Sequence, residues 1–192
     1  MKRNASAVLA SFGRILFAAA LLSSFPLKAD GPDSKFKFGG LLTLSSPGDD
    51  LRKTETGFGG ALFVEKSLSS SLSGRARVDY AAHGAKGLYV DPKYKAEVMS
   101  VMVDLMLSTA PDRTSSTYGV FCGLGYIMPK YKTTGSVTAS DSPNSVGVSL
   151  GGQIVFLNRF IVEVRHTKSF GGKIDGDSFD ISYSQAGFGV RF

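Results

Sequence analysis

A chain of 192 residues that is 43% hydrophobic has the size of one domain and is too apolar for simple disorder. Its 23 glycines follow no period of three, which excludes a collagen-like helix. The formal charge of +6 suggests a nucleic-acid binder, but Lys2, Arg3, Arg14 and Lys28 lie in residues 1–29 with no acid among them, and without them 18 basic groups face 16 acidic ones. The basic footprint thus largely disappears if that segment is removed, and no nucleic-acid partner is expected.

Residues 1–29 have the pattern of a signal peptide. Lys2 and Arg3 open it, and the apolar run Ile15-Leu16-Phe17-Ala18-Ala19-Ala20-Leu21-Leu22 leads into Ser23-Ser24. The run suits a signal core and falls short of a membrane-spanning helix. Cleavage is expected after Ala29, although Leu27 stands where a small residue is usual, so the mature domain is 30–192. No cysteine lies near the cut to carry a lipid. The single cysteine, Cys122, rules out an intramolecular disulfide. No later segment reaches eighteen predominantly apolar residues, so helical spans are not expected.

Eight segments of period-two alternation follow. Residues 35–45 place Phe36, Phe38, Gly40, Leu42 and Leu44 on one face. Residues 54–66 set Phe58, Gly60, Leu62 and Val64 against Gly57, Gly59, Ala61, Phe63 and Glu65. In 71–83, Leu72, Gly74, Ala76, Val78 and Tyr80 oppose Ser73, Arg75, Arg77 and Asp79. In 95–109, Met99, Val101, Val103, Leu105 and Leu107 oppose Ser100, Met102, Asp104, Met106 and Ser108. Residues 116–129 alternate Tyr118, Val120, Cys122, Leu124 and Tyr126 with Gly119, Phe121, Gly123 and Gly125. Residues 144–157 alternate Val146, Val148, Leu150, Ile154 and Phe156 with Gly147, Ser149, Gly151 and Gln153. Residues 160–170 set Phe160, Val162 and Val164 against Glu163, Arg165 and Thr167. The last, 180–192, sets Phe188 and Val190 against Gln185, Gly187, Gly189 and Arg191 and ends in Phe192.

The connections alternate in length: 46–53 long, 67–70 short, 84–94 long, 110–115 short, 130–143 long, Asn158-Arg159 a two-residue link, 171–179 long. Seven connections alternating in this way suit an up-and-down membrane barrel, with short turns in the periplasm and long loops outside.

The face opposite the apolar one decides between a membrane barrel and a soluble sandwich. It carries Glu65, Arg75, Arg77, Asp79, Asp104, Glu163, Arg165 and Arg191. Charges on a sandwich core face are costly, whereas the interior of a small barrel can pair four bases with four acids. An open sheet in lipid would leave unpaired backbone groups, so the strands must close. The expected fold is all-β, an eight-stranded antiparallel up-and-down transmembrane β-barrel. Its inner glycines leave room for neighbouring side chains, and its lumen is narrow enough to be filled by them. Tyr80, Tyr118, Tyr126 and Tyr183 are candidates for interfacial aromatic girdles. Cys122 reads as a small outward hydrophobe.

In these features the chain resembles the small outer-membrane β-barrel families of Gram-negative bacteria, over about Lys35 to Phe192. The closing Phe188-Gly189-Val190-Arg191-Phe192 is similar to the C-terminal signature recognised by the barrel assembly machinery, and Phe160-Ile161-Val162-Glu163-Val164-Arg165-His166 looks like the penultimate strand. The resemblance implies an outer-membrane location, contact with outer-membrane lipid and lipopolysaccharide, and assembly through Phe188, Val190 and Phe192. Such families include structural anchors, adhesins, channels for small or hydrophobic solutes and a few lipid A-modifying hydrolases. Small-barrel lipid A deacylases carry a His-x-Ser pair on the seventh strand and a later acid. Here His166 is followed by Lys168 at the serine position, and Asp180 takes the acid position. Ser169 is one step off and points to the opposite strand face. A lysine cannot serve as the acyl-accepting hydroxyl, so no catalytic residue and no enzyme is expected.

No P-loop, dinucleotide-binding glycine pattern or zinc cluster occurs, so no cofactor or metal is expected. Asp49-Asp50 and Asp175-Gly176-Asp177 read as solvated loop acids. The expected role is structural or surface-interacting, through a matrix or surface ligand that the sequence leaves unidentified, with a narrow channel for small or hydrophobic solutes as the rival.

Overall fold

The computed structural model describes residues 36–49, 51, 54–84, 93–109, 116–134, 139–141, 143–174 and 177–192. The expected signal peptide, the short connection 110–115, Asp50 and Asp175-Gly176 lie outside these residues.

Eight long strands carry the fold: β1 (Phe36–Asp49), β2 (Gly57–Ser67), β3 (Leu72–His83), β4 (Lys93–Ser108), β5 (Ser116–Thr134), β7 (Ser145–Phe156), β8 (Phe160–Phe170) and β11 (Ile181–Arg191). Each pairs antiparallel with its chain neighbours, and β1 pairs with β11 to close the ring. Three short strands were not anticipated. β6 (Ala139–Asp141) extends the edge of β5, and β9 (Gly172–Ile174) with β10 (Asp177–Phe179) forms a small hairpin in the last long loop. The ladders of β1 and β5 also run several residues further into the long connections than the alternation suggested.

The register fixes the barrel's dimensions. From Phe38, successive partners are Val64, Ala76, Val103, Leu124, Val148, Lys168 and Ser182, and Ser182 returns to β1 at Gly48, ten residues beyond the start. A stagger of ten over eight strands, at ~3.3 Å per residue and ~4.8 Å between strands, tilts the strands by about 41° and gives a backbone radius of about 8 Å. Ten residues of a strand so tilted rise about 25 Å, the height of the apolar band of a membrane barrel. On β8 this is the distance from Phe160 to Phe170.

Around this band the alternation is kept. Leu42, Phe58, Leu62, Leu124, Leu150 and Val164 are exposed outward, whereas residues of the opposite parity are buried inside. Phe160 stacks between Phe156 and Phe188, with ring centroids 5.7 and 6.3 Å away, at the end where the termini meet. There the Phe192 amide donates to the Phe38 carbonyl at 2.7 Å and the Phe38 amide to the Phe192 carbonyl at 3.0 Å. Tyr80 and Tyr118 face outward at opposite ends. Tyr183 does not: it is buried inside the barrel and its hydroxyl lies 3.3 Å from Ser100 Oγ, because its parity on β11 is that of Gln185 and not of Phe188.

The β7–β8 connection is three residues, Leu157 to Arg159, and not the two expected. Leu157 and Asn158 both take left-handed backbone angles, with φ of 53° and 55°, and the Arg159 amide donates to the Phe156 carbonyl at 3.2 Å. Such a turn twists with the strands it joins, which explains its place in a hairpin.

Candidate functional site in the barrel interior

Alternation puts the eight charged residues on inner faces, and closure of the barrel buries all of them. The structure gathers six into one cluster. In the ring of eight strands β3 and β8 stand opposite one another, so contacts between them cross the lumen.

Arg75 on β3 reaches across to Glu163 on β8, with Nη1 to Oε2 at 2.7 Å, and its Nη2 donates to Gln153 Oε1 at 2.9 Å and to Met106 Sδ at 3.1 Å. Its Nε lies 3.8 Å from Asp104 Oδ2. Arg77 holds Asp79 through Nε at 2.7 and 2.8 Å and Nη2 at 2.5 Å, and its Nη1 contacts the other Glu163 oxygen. Arg165 grips Asp104 with both terminal nitrogens, at 3.0 and 2.6 Å, donates to Ser149 Oγ at 2.7 Å and lies 3.3 Å from Glu163. Three guanidinium groups thus meet three carboxylates. The planar fork of arginine suits such two-pronged contacts, and the balance of charge is what allows the groups to stay ionised away from water.

Aromatic rings complete the packing. The Arg75 guanidinium lies 5.1 Å from the Phe63 ring centre and 5.2 Å from that of Phe121, and Arg165 lies 4.4 Å from Phe121. These contacts add cation–π attraction. Glycines make the room. A Cβ at Gly123 would fall 2.1 Å from Asp104 Oδ1, and one at Gly151 would fall 2.4 Å from Phe121 Cζ.

Arg191 and Glu65 form a separate pair near the termini, at 3.4 Å, with Arg191 Nε also 3.5 Å from the Asn158 carbonyl. Apolar side chains fill other parts of the lumen. Leu41, Ala61, Phe63, Val155 and Ile161 pack as one cluster. Leu51, Ala96, Val98, Ile127, Ile181 and Tyr183 form another, towards the long loops. Leu51, from the first long loop, is fully buried in this cluster. His83 on β3 contacts residues on both sides of that loop, with Nδ1 3.2 Å from the Glu55 carbonyl and Nε2 3.4 Å from Ser45 Oγ.

On β8, Ser169 points inward as its parity requires, and its Oγ accepts the Ile181 amide at 2.9 Å. His166 is exposed outward, but it does not lack a hydroxyl on its own face. Ser184 of β11 lies beside it in the register, and its Oγ is 3.0 Å from His166 Nδ1. The alternation along β8 does not reveal this neighbour, because it comes from the adjacent strand. Lys168, also outward, pairs with Asp49 at 3.7 Å. Asp180, at the acid position, is half-buried just before β11. Among the described residues no group of three or more His, Cys, Asp or Glu lies together as a metal site.

The terminal Phe188 and Val190 point outward. Phe192 is exposed beneath the Arg159 guanidinium, 5.0 Å from its ring centre. Cys122 is exposed on the outer wall.

Solved structures share this architecture. Neisserial surface protein A is 13% identical, with 81% of this chain and 95% of that chain covered and a TM-score of 0.55. Ail, the attachment invasion locus protein of Yersinia pestis, is 15% identical, with 82% and 97% covered and a TM-score of 0.54. A major outer membrane protein of Thermus thermophilus is 15% identical, with 82% and 100% covered and a TM-score of 0.54. At these identities the likeness is one of fold. No curated protein sequence matches the chain. The family described as outer membrane protein beta-barrel domain matches residues 15–192, nearly the whole length. With its closed eight-stranded ring and apolar outer wall, the chain belongs to this family of outer-membrane β-barrel proteins.

Proposed function

We propose that the protein is a closed structural barrel of the outer membrane that meets its surroundings through its outer loops and carries no wide pore. The observation behind this reading is the six-membered Arg–carboxylate cluster spanning from β3 and β4 to β8. At a backbone radius of about 8 Å, inward side chains from opposite walls meet, and here they are locked by charge-assisted hydrogen bonds. The purified protein in a planar bilayer should give no sustained conductance. Large, stable single-channel steps overturn the closed reading.

Export after cleavage near Ala29, and assembly through the outward Phe188 and Val190 with the terminal Phe192, belong to the same reading. A mature N-terminus near Asp30 is the outcome that N-terminal sequencing should give. The surface role follows the naming of one similar structure as an attachment invasion locus protein. Deleting the protein should then reduce adherence of intact cells to a host or matrix surface.

A second reading, the narrow channel for small or hydrophobic solutes taken in its small-solute form, draws on the wall formed by β1 and β11. Both amide atoms of Gln185 and the hydroxyl of Thr43 are buried there without a protein partner. Buried polar groups normally find one. Uptake of a small solute by protein-containing vesicles, lost on Gln185→Leu, is the result that favours it.

A further inference from the structure

We propose that the outer, open end of the β4–β5 ladder carries a phosphate-binding site on its outward face, occupied by the phosphorylated glycolipid of the outer leaflet. This rests on the outer-membrane reading and names the lipid chemistry that one wall of the barrel takes.

Among the eight long strands β4 and β5 reach furthest to the outer side. Their ladder runs without a break to the pair Lys93 and Thr134, well beyond Met99 and Met128. On its outward face Lys95 stands directly opposite Lys132, and Glu97 directly opposite Lys130. All four side chains are exposed. Directly opposed residues on one sheet face hold their Cβ atoms about 5 Å apart, and like charges so placed repel. Three ammonium groups and one carboxylate therefore share a rigid patch with a net charge of +2. The hydrogen-bonded ladder holds the Cβ atoms of these lysines together, whereas in a loop the backbone itself could carry them apart.

Height selects the occupant. Descending the same outward faces, the next pairs are Met99 with Met128, Val101 with Tyr126, and Val103 with Leu124. Tyr126 on β5 and Tyr80, two strands away on β3, lie towards the outer end of the apolar wall. Lys130 and Lys95 stand four and six residues above that level, a rise of roughly 10–15 Å at the strand tilt. A lipid lying against Leu124, Val101 and Met99 brings its headgroup, not its chains, to the lysines. A phosphate there relieves the Lys95–Lys132 repulsion while the acyl chains cover the apolar wall. A soluble anion gains only the first of these, which is why the lipid is the preferred source.

The test is a titration of the heat-modifiable, folded barrel in neutral detergent with fluorescent lipid A carrying its phosphates and with dephosphorylated lipid A. The phosphorylated form should bind more tightly. Each lysine near an anionic headgroup contributes about fivefold in affinity. The double variant Lys95→Gln, Lys132→Gln should lose about 25-fold for the phosphorylated lipid and keep its affinity for the other. Lys66→Gln, which removes one lysine charge at the opposite end of the barrel, should alter neither. Lys95→Arg with Lys132→Arg should retain binding, and it serves as the charge-preserving variant should the glutamine pair fold poorly. Equal binding of the two lipids, or undiminished binding by the double variant, overturns the proposal. Full competition by inorganic phosphate or sucrose octasulfate at the same concentration assigns the site to a soluble anion and overturns the lipid source. A chain that never becomes heat-modifiable fails the barrel reading itself, and so is distinguishable from failure of the site.

Discussion

Arg165 and Asp104 face one another inside the barrel from β8 and β4 and are joined by two parallel hydrogen bonds, Nη1 to Oδ1 at 3.0 Å and Nη2 to Oδ2 at 2.6 Å. Both side chains are essentially inaccessible to solvent. The pair ties two walls that share no ladder, so it opposes any widening of the lumen.

Removing one half of the pair should be worse than removing both. Arg165→Leu leaves Asp104 buried with only the more distant Arg75, and should cost about 3–5 kcal/mol, read as a shift in urea unfolding of the vesicle-inserted protein. Arg165→Leu combined with Asp104→Leu should recover part of that loss, because no uncompensated charge remains at the position. A single variant as stable as the parent would mean that the cluster does not hold the barrel.

Charges on the outer wall should behave in the opposite sense. Val162 and Val103 are exposed to lipid within the band. Val162→Arg or Val103→Arg should therefore destabilise the inserted state by about 2–4 kcal/mol, falling towards zero as the substitution approaches either interface. Refolding yield into vesicles, followed by heat-modifiable migration, measures this.

The β7–β8 turn holds an avoidable strain. Leu157 has a φ of 53°, a conformation that costs an ordinary L-residue about 1–2 kcal/mol. Its side chain is exposed and fills no core. Leu157→Asn or Leu157→Gly should stabilise the barrel by about 1 kcal/mol, visible as a higher unfolding midpoint. A lower midpoint would show that Leu157 contributes more by contact with the membrane surface than its backbone costs.

The His166–Ser184 pair invites an enzymatic reading, and we expect no such activity. A catalytic serine needs donors aimed at the oxyanion as well as a base. Ser184 sits in mid-ladder, paired with His166 on one side and Ser46 on the other, so the backbone amides of this closed wall are committed to strand pairing. Incubation with phospholipid and lipid A should release no fatty acid. Release that disappears with Ser184→Ala and with His166→Ala, while the variants stay folded, would establish a lipid hydrolase.

Much of this protein is determined by the order of apolar and polar residues alone. Because side chains alternate strictly along a strand, the sequence assigns Arg75, Arg77, Arg165 and Arg191 to one face and Leu62, Val103 and Val162 to the other. Charges that neither lipid nor an apolar core accepts then imply closure around a polar interior. What one strand cannot determine is its offset against the next. Only the ten-residue stagger places Arg165 against Asp104, Arg75 against Glu163 across the lumen, and Ser184 beside His166. The same stagger separates Arg191 and Glu65 from the main cluster; Tyr183, by contrast, lies inside because it shares the strand parity of Gln185. Local patterning carries no information about offset. Offset is settled by closing eight strands into one ring at a tilt that satisfies every backbone hydrogen bond, a condition on the whole chain at once.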